Sequence, residues 1–218
     1  MPFAPLIESS RLIEFLLKTV GISLSGVLAP GPMTAATLAA GIRSPHAGAM
    51  IAVGHAAIEG PLMLLILAGA GAVFEVPSVK LGIGLAGGAF LLFLGGQLLA
   101  ALRKGEVAEG VAETRHPFVT GVVLTAANPY FLIWWATVGM ALATDAVNFG
   151  VLAFVLFGAL HWLCDLVWLE ILSVASYKGT EVLGGKLQQA VLLVCGIMLV
   201  GFGVMFLRDA WLGLMGTA

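Results

Sequence analysis

Six apolar runs constrain the fold of this chain more than any other feature. They lie near Phe15–Ala40, Ala47–Val73, Leu81–Leu102, Phe118–Ala143, Phe149–Ala175 and Leu187–Leu207. Each run is long enough to cross about 30 Å of hydrocarbon as an α-helix. Continuous apolar runs favour helices, because the strands of a membrane barrel would alternate apolar and polar residues. The sequence therefore predicts an all-α integral membrane protein with six transmembrane helices.

The composition agrees with a membrane protein that has no soluble domain. Charged residues make up 10% of the chain, hydrophobic residues 60%, and the mean hydropathy is +1.07, whereas about a quarter of a soluble domain is charged. The net charge of −2 gives no sign of a nucleic-acid partner. We expect no cofactor. The expected partners are the lipid bilayer, protons and a small solute, and the glycine-rich spans leave room for a homodimer.

The polar connection at residues 106–116 divides the chain into two similar halves, 1–105 and 117–218. Each half has three spans, so the two halves must cross the membrane in opposite directions. The first span of each half carries a helix breaker, at Ala29–Pro32 and at Asn128–Pro129. Matching breakers in corresponding spans are typical of inverted repeats in secondary transporters. We therefore predict two inverted three-helix repeats in which spans one and four are broken.

The two breakers predict a solute site near the middle of the membrane. Proline lacks a backbone donor and interrupts a helix, so each broken span should restart as a half-helix. The N-terminus of a half-helix carries a partial positive charge, and two such ends facing one cavity would hold an anionic group. A structural kink without a binding role is the alternative. The predicted substrate-binding residues are Pro30, Gly31, Pro32, Thr34, Asn128 and Pro129.

The second span of each half carries a His with a carboxylate four residues later. These pairs are His55 with Glu59 and His161 with Asp165, and a spacing of four puts both side chains on one helix face. A charge at the bilayer centre costs about 2.5–3.5 kcal/mol on insertion scales, so such residues usually line a polar path. A His with an ordinary pKa of about 6.5 can load and release a proton near neutral pH. We predict proton coupling or ligand contact; packing pairs are the alternative.

The distribution of Lys and Arg predicts the orientation in the membrane. The connections after spans one, three and five hold six of these residues, and the other connections and ends hold four. Cytoplasmic connections are usually the more basic ones. We therefore expect a protein of the cell membrane whose 106–116 connection is cytoplasmic and whose termini both lie outside.

The motifs in these spans resemble those of the lysine exporter superfamily, in the branch of homoserine and threonine exporters. The resemblance is carried by Pro30-Gly31-Pro32, Gly54-His55 and Asn128-Pro129 followed by Trp135, and it covers nearly the whole chain. It implies export of amino acids or similar small solutes, coupled to the proton gradient. It also implies that Pro30, Gly31, Pro32, Asn128 and Pro129 lie at the two broken helices.

Two other functions stay open beside amino-acid export. Related branches of the superfamily move divalent metals, and His55, Glu59, His161 and Asp165 would offer nitrogen and oxygen ligands to a transition metal. An intramembrane metal-dependent enzyme is a minor alternative. We expect no enzyme, because the chain has no nucleophile elbow and no zinc-protease helix motif.

Four further residues are left undecided by the sequence. Trp134 and Trp135 are either interfacial anchors or walls of the cavity. Gln97 is either a contact between helices or a ligand contact, and Glu170 is either an interfacial residue or part of a proton relay.

Overall fold

The computed structural model describes residues 4–28, 31–68, 76–104, 116–183 and 185–216. Within these ranges all regular secondary structure is helical. The helices are α1 (Ala4–Val27), α2 (Pro32–Gly41), α3 (Ala47–Leu67), α4 (Pro77–Lys104), α5 (Pro117–Ala126), α6 (Pro129–Trp134), α7 (Met140–Asn148), α8 (Val151–Leu183) and α9 (Gly185–Gly216), with a π-helical turn (Trp135–Gly139) between α6 and α7.

The described helices give four or five candidate membrane spans. The helices α3, α4, α8 and α9 are each long and apolar enough to cross a membrane, and α1 with α2 makes a fifth span if the bent pair is counted as one. This is a multi-pass membrane protein. The predicted span Phe118–Ala143 is not one helix, because the chain there is divided among α5, α6, the π-helical turn and α7.

The first break separates α1 from α2, and the two helices are bent by 75°. Gly31 is extended, with φ −154° and ψ −176°, and α2 begins at Pro32. Proline suits the first turn of a helix, since its missing N–H would have no partner there. The break therefore falls in the predicted segment, of which Ala29 and Pro30 lie outside the described residues.

The second break lies at Ala127 and Asn128, between α5 and α6. Asn128 caps the new helix, because its side-chain oxygen accepts hydrogen bonds from the backbone N–H groups of Tyr130 (3.0 Å) and Phe131 (3.3 Å). The helix α6 has only six residues before the π-helical turn begins at Trp135. Such turns are often found at functional sites.

Glycines allow the helices to approach closely at several crossings. In the pair of α4 and α9, a Cβ on Gly88 would lie 3.0 Å from the carbonyl oxygen of Gly203, and one on Gly95 would lie 2.9 Å from that of Gly196. Small residues at helix contacts are a common packing device in membranes.

The crossing of α3 and α5 is closer still, and it is reciprocal. A Cβ on Gly54 would lie 2.1 Å from the carbonyl oxygen of Phe118, and one on Gly121 would lie 2.1 Å from that of Ile51. The helix α8 packs against α3 and also against α1 and α2. These contacts bring α1, α3, α5 and α8 together, and the candidate site lies between them.

Candidate functional site

The predicted site residues line one cavity of about 370 Å³. Residues of both breaks and of both His and carboxylate pairs contribute to its wall. The predicted residues in the wall are Gly31, Pro32, Thr34, Asn128, His55, Glu59, His161 and Asp165. Pro30 lies outside the described residues, and Pro129 is the first residue of α6.

Glu59 is the centre of the polar contacts in this cavity. Its Oε1 lies 3.1 Å from Nε2 of His55 and 3.1 Å from Nε2 of His161. The indole of Trp135 donates a third hydrogen bond to the same oxygen, at 3.2 Å. The side chain is buried, with 2% of the residue exposed. The two pairs that the sequence separates by a hundred residues thus meet at one carboxylate oxygen.

Asp165 completes the group, which we call the quartet: His55, Glu59, His161 and Asp165. Its Oδ2 lies 3.9 Å from Nε2 of His55 and 4.0 Å from Nε2 of His161. This oxygen is buried and accepts no hydrogen bond from the part of the chain that the structure describes. The quartet therefore keeps one carboxylate oxygen available to a ligand.

The hydroxyl of Thr125 determines the tautomer of His55. It lies 2.8 Å from Nδ1 of His55 and donates its own hydrogen to the carbonyl oxygen of Gly121, at 2.6 Å. Since its hydrogen is committed, Thr125 can only accept, so Nδ1 carries a proton. The contact between Nε2 of His55 and Glu59 then requires one more proton, on the imidazole or on the carboxyl group.

The contacts of His161 can form without an additional proton. Its Nδ1 lies 2.7 Å from the hydroxyl of Ser23. If that hydroxyl donates to Nδ1, His161 can stay neutral while its Nε2–H donates to Glu59. The contact of His161 with Glu59 therefore needs no additional proton.

Aromatic side chains hold both imidazoles in place. Trp134 stacks on His161 with ring centroids 5.1 Å apart, and Phe131 meets His55 edge-on, also at 5.1 Å. Trp135 is completely buried. Of the two interpretations left open by the sequence, these indoles are cavity walls and not interfacial anchors.

Sequence reasoning missed Ser23, Thr125 and Phe131. The two hydroxyls had a detectable signal, because each lies in an apolar span a few residues before a breaker and in corresponding spans of the two halves. Hydroxyls in helices often bond to their own backbone, so the signal has no specificity by itself.

The two half-helix ends that were predicted to hold an anion differ in their capping. The N–H groups of Tyr130 and Phe131 are already bonded to Asn128. At α2, by contrast, Gly31 supplies no side chain to cap the helix. At the start of α2 the N-cap residue therefore has no side-chain group that could compensate the partial positive charge of the helix end.

Glu170 and Gln97 lie away from the cavity wall. Glu170 contacts Nδ1 of His46 and accepts a hydrogen bond from the backbone N–H of Ala49, at 3.0 Å. Glu170 therefore connects α8 to the start of α3. Gln97 is on α4, and its side-chain oxygen is buried without a hydrogen-bond partner among the described residues.

The comparison with protein families agrees with this geometry. A family model described as LysE type translocator matches residues 24–210, a range that includes both breaks and the whole quartet. The chain belongs to the LysE type translocator family. The resemblance to the lysine exporter superfamily is thereby confirmed, and a LysE type translocator moves small solutes across a membrane. Neither the curated proteins nor the solved structures contain a match to this chain.

Proposed function

We propose that this LysE type translocator exports amino acids or similar small solutes by proton antiport, and that the cavity is its solute site. One observation carries the proposal: the quartet and the start of α2, whose N-cap residue is Gly31, line the same cavity. The volume of about 370 Å³ falls within the range of small-molecule pockets, roughly 300–1,000 Å³. Membership of a translocator family supports transport over catalysis.

The cavity supports a solute that carries both an anionic and a cationic group. The start of α2 suits a carboxylate, because helix N-termini bind anions. Oδ2 of Asp165, which accepts no hydrogen bond from the described residues, suits an ammonium group. The described wall contains no Lys or Arg that would repel this cation. An amino acid carries both groups at a short separation.

Proton antiport would result if the quartet binds either a proton or the ammonium group of the solute, but not both at once. An ammonium group and a proton both neutralise negative charge there, and a buried uncompensated charge is costly. The solute's ammonium group would bind as a proton leaves, and a proton would return as the solute is released. The shared proton of His55 and Glu59 is the one that we assign to this exchange.

We also propose that six spans form two inverted repeats, residues 1–105 and 117–218. The crossed hydroxyl contacts support this architecture. Ser23, before the first break, contacts His161 of the second half, and Thr125, before the second break, contacts His55 of the first half. Each broken span thus supplies a hydroxyl to the His of the opposite half, as a two-fold relation requires.

The orientation that we propose is the one predicted from the Lys and Arg distribution. The 106–116 connection would face the cytoplasm, and both termini would lie outside the cell membrane. Labelling single cysteines placed in this connection and at the C-terminus with an impermeant thiol reagent, in intact cells, tests the assignment. Labelling of the connection from outside would reverse it.

Filling the start of α2 should abolish transport. We expect Gly31→Leu to reduce solute uptake by inverted vesicles or proteoliposomes to the level of protein-free liposomes, because Gly31 lines the cavity and a leucine would occupy it. The measurement is uptake of radiolabelled amino acids under an imposed pH gradient. Gly60→Leu is the matched control, since a Cβ at Gly60 meets nothing within 4 Å. Equal uptake by the two variants would show that the solute does not bind in this cavity.

Asp165→Asn should abolish gradient-driven uptake without destabilising the protein. The amide keeps the volume but cannot exchange an ammonium group for a proton. Because Oδ2 accepts no hydrogen bond from the described residues, we expect a melting temperature equal to or above that of the unmodified protein. Asp145→Asn makes the same chemical change at a surface ion pair with Lys18 and should retain uptake. Normal uptake by Asp165→Asn would contradict the coupling role.

A further inference from the structure

We propose that Ser23 and Thr19, which we call the relay, carry the exchanged proton between the quartet and the N-terminal end of α1. The proposal rests on the proton antiport proposed above and adds the path by which the proton reaches the quartet. It is carried by two buried hydroxyls one turn apart on α1 and by the contact of the first of them with His161.

The hydroxyl of Ser23 can reverse its hydrogen bond to His161. Its contact with Nδ1 of His161, at 2.7 Å, is the one hydrogen bond that it forms within the described part of the chain. The hydroxyl can therefore either donate to Nδ1 or accept from an Nδ1–H group. Thr125 is not placed to do the same for His55, because its hydrogen is bonded to the carbonyl oxygen of Gly121. His161 is thus the imidazole of the quartet whose Nδ1 can exchange a proton.

Thr19 offers the next hydroxyl along α1. Its Oγ1 is buried and forms no hydrogen bond with any described residue, although a helical threonine often bonds to a carbonyl oxygen of the preceding turn. A buried hydroxyl without a partner costs about 1–3 kcal/mol, which favours a water molecule between Thr19 and Ser23. The Cβ atoms of residues one turn apart are about 5–6 Å from each other. One water with two hydrogen bonds of about 2.8 Å spans that distance.

The transfer through the relay conserves every proton. Unloading starts with a proton on Glu59 and with Nδ1–H of His161 donating to Ser23. The proton of Glu59 moves to Nε2 of His161, and the Nδ1 proton moves to the oxygen of Ser23. The former hydrogen of Ser23 passes to the water beside Thr19. Glu59 is left ionised, and His161 is neutral with Nε2–H directed at Glu59, 3.1 Å away. The reverse sequence loads the quartet.

The direction of the relay suits an exporter. Thr19 lies four residues before Ser23 and therefore about 6 Å nearer to the N-terminal end of α1. The orientation proposed above places that end outside the cell. Protons enter from outside when an antiporter exports its solute, so the relay points to the side from which the quartet would be loaded.

Thr19→Val tests the relay, because it keeps the volume and removes only a hydroxyl. Uptake of radiolabelled amino acids by proteoliposomes is measured under a pH gradient and, separately, as exchange at equal pH on both sides. We expect gradient-driven uptake to fall by about 100-fold, the lower end of what a positioned proton-transfer group contributes. Exchange should be unchanged, because it moves no net proton. Thr19→Ser should restore the gradient-driven rate.

Thr37→Val is the matched control. Thr37 is also fully buried, and its hydroxyl also has no partner among the described residues, but it is on α2. This variant should keep both activities. Ser23→Ala should lose gradient-driven uptake to the same extent with or without Thr19→Val, because both interrupt one path.

The outcomes separate the relay from the antiport on which it rests. Normal gradient-driven uptake by Thr19→Val would overturn the relay alone. An equal loss of uptake and exchange would also overturn it, because the hydroxyl of Thr19 would then have a structural role. Exchange without gradient-driven uptake by the unmodified protein would contradict proton antiport itself, and the relay with it.

Discussion

Glu59→Gln is expected to abolish gradient-driven transport and also to lower the stability of the protein. The carboxylate oxygen lies against three nitrogens, from His55, His161 and Trp135. An amide carries no charge to balance a protonated imidazole, and it cannot share the proton of His55. Uptake under an imposed pH gradient should fall to that of protein-free liposomes. Because buried donors lose a charged acceptor, we also expect a loss of about 1–3 kcal/mol in the free energy of unfolding.

Glu170→Gln is the matched control for this variant. Glu170 also contacts a His, His46, but it is not part of the cavity wall. The variant Glu170→Gln should keep gradient-driven uptake. The two variants should be compared at equal amounts of folded protein in the liposomes. If Glu59→Gln transports as well as Glu170→Gln, the quartet has only a structural role.

Gly121→Ala is expected to destabilise the protein strongly at the crossing of α3 and α5. A methyl group at this position would lie 2.1 Å from the carbonyl oxygen of Ile51, which belongs to the backbone of α3 and cannot rotate away. Overpacking a protein interior costs typically about 1–3 kcal/mol, occasionally more, and a clash with backbone should reach or exceed the top of that range. The melting temperature in detergent measures the effect.

Gly60→Ala provides the comparison within the same crossing pair of helices. Gly60 is on α3, and a Cβ there meets nothing within 4 Å. Alanine is the better helix former by up to about 1 kcal/mol, so this variant should be as stable as the unmodified protein or more stable. A melting temperature for Gly121→Ala equal to that for Gly60→Ala would mean that the two helices are farther apart than described.

The crossing also explains why Gly121→Ala should impair transport in whatever protein remains folded. Thr125 is one turn beyond Gly121, and His55 follows Gly54. Separating α3 from α5 would therefore pull the Thr125 hydroxyl away from Nδ1 of His55, which are now 2.8 Å apart. Packing and site geometry depend on the same close approach.

The sequence predicted the quartet because each of its pairs is local. A His and a carboxylate four residues apart share a helix face whatever the tertiary structure. The contact between Glu59 and His161 joins residues 102 positions apart, so it depends on how α3 packs against α8. The expected inverted repeat predicted that the two pairs share a cavity. It did not predict which carboxylate oxygen would contact both imidazoles.

The details at the second break could not be predicted in the same way. Asn128, a predicted solute contact, lines the cavity, and its side-chain oxygen also caps α6. Asn is a common N-cap residue, but that preference does not say whether a polar side chain beside a cavity will bind a ligand or the backbone. The π-helical turn at Trp135–Gly139 has no sequence signature either, and it divides what was expected to be one continuous half-helix.

The quartet also affects how the protein can change conformation when no solute is bound. The contacts of Ser23 with His161, Thr125 with His55 and Glu59 with His161 each join one half of the chain to the other. The two halves cannot separate on one side of the cavity without breaking these buried hydrogen bonds. Loss of both the proton and the solute would leave two carboxylates to repel each other, which opposes closure around an empty cavity. Under the proton antiport that we propose, the same four side chains oppose a futile cycle in which the protein changes conformation without solute and dissipates the proton gradient.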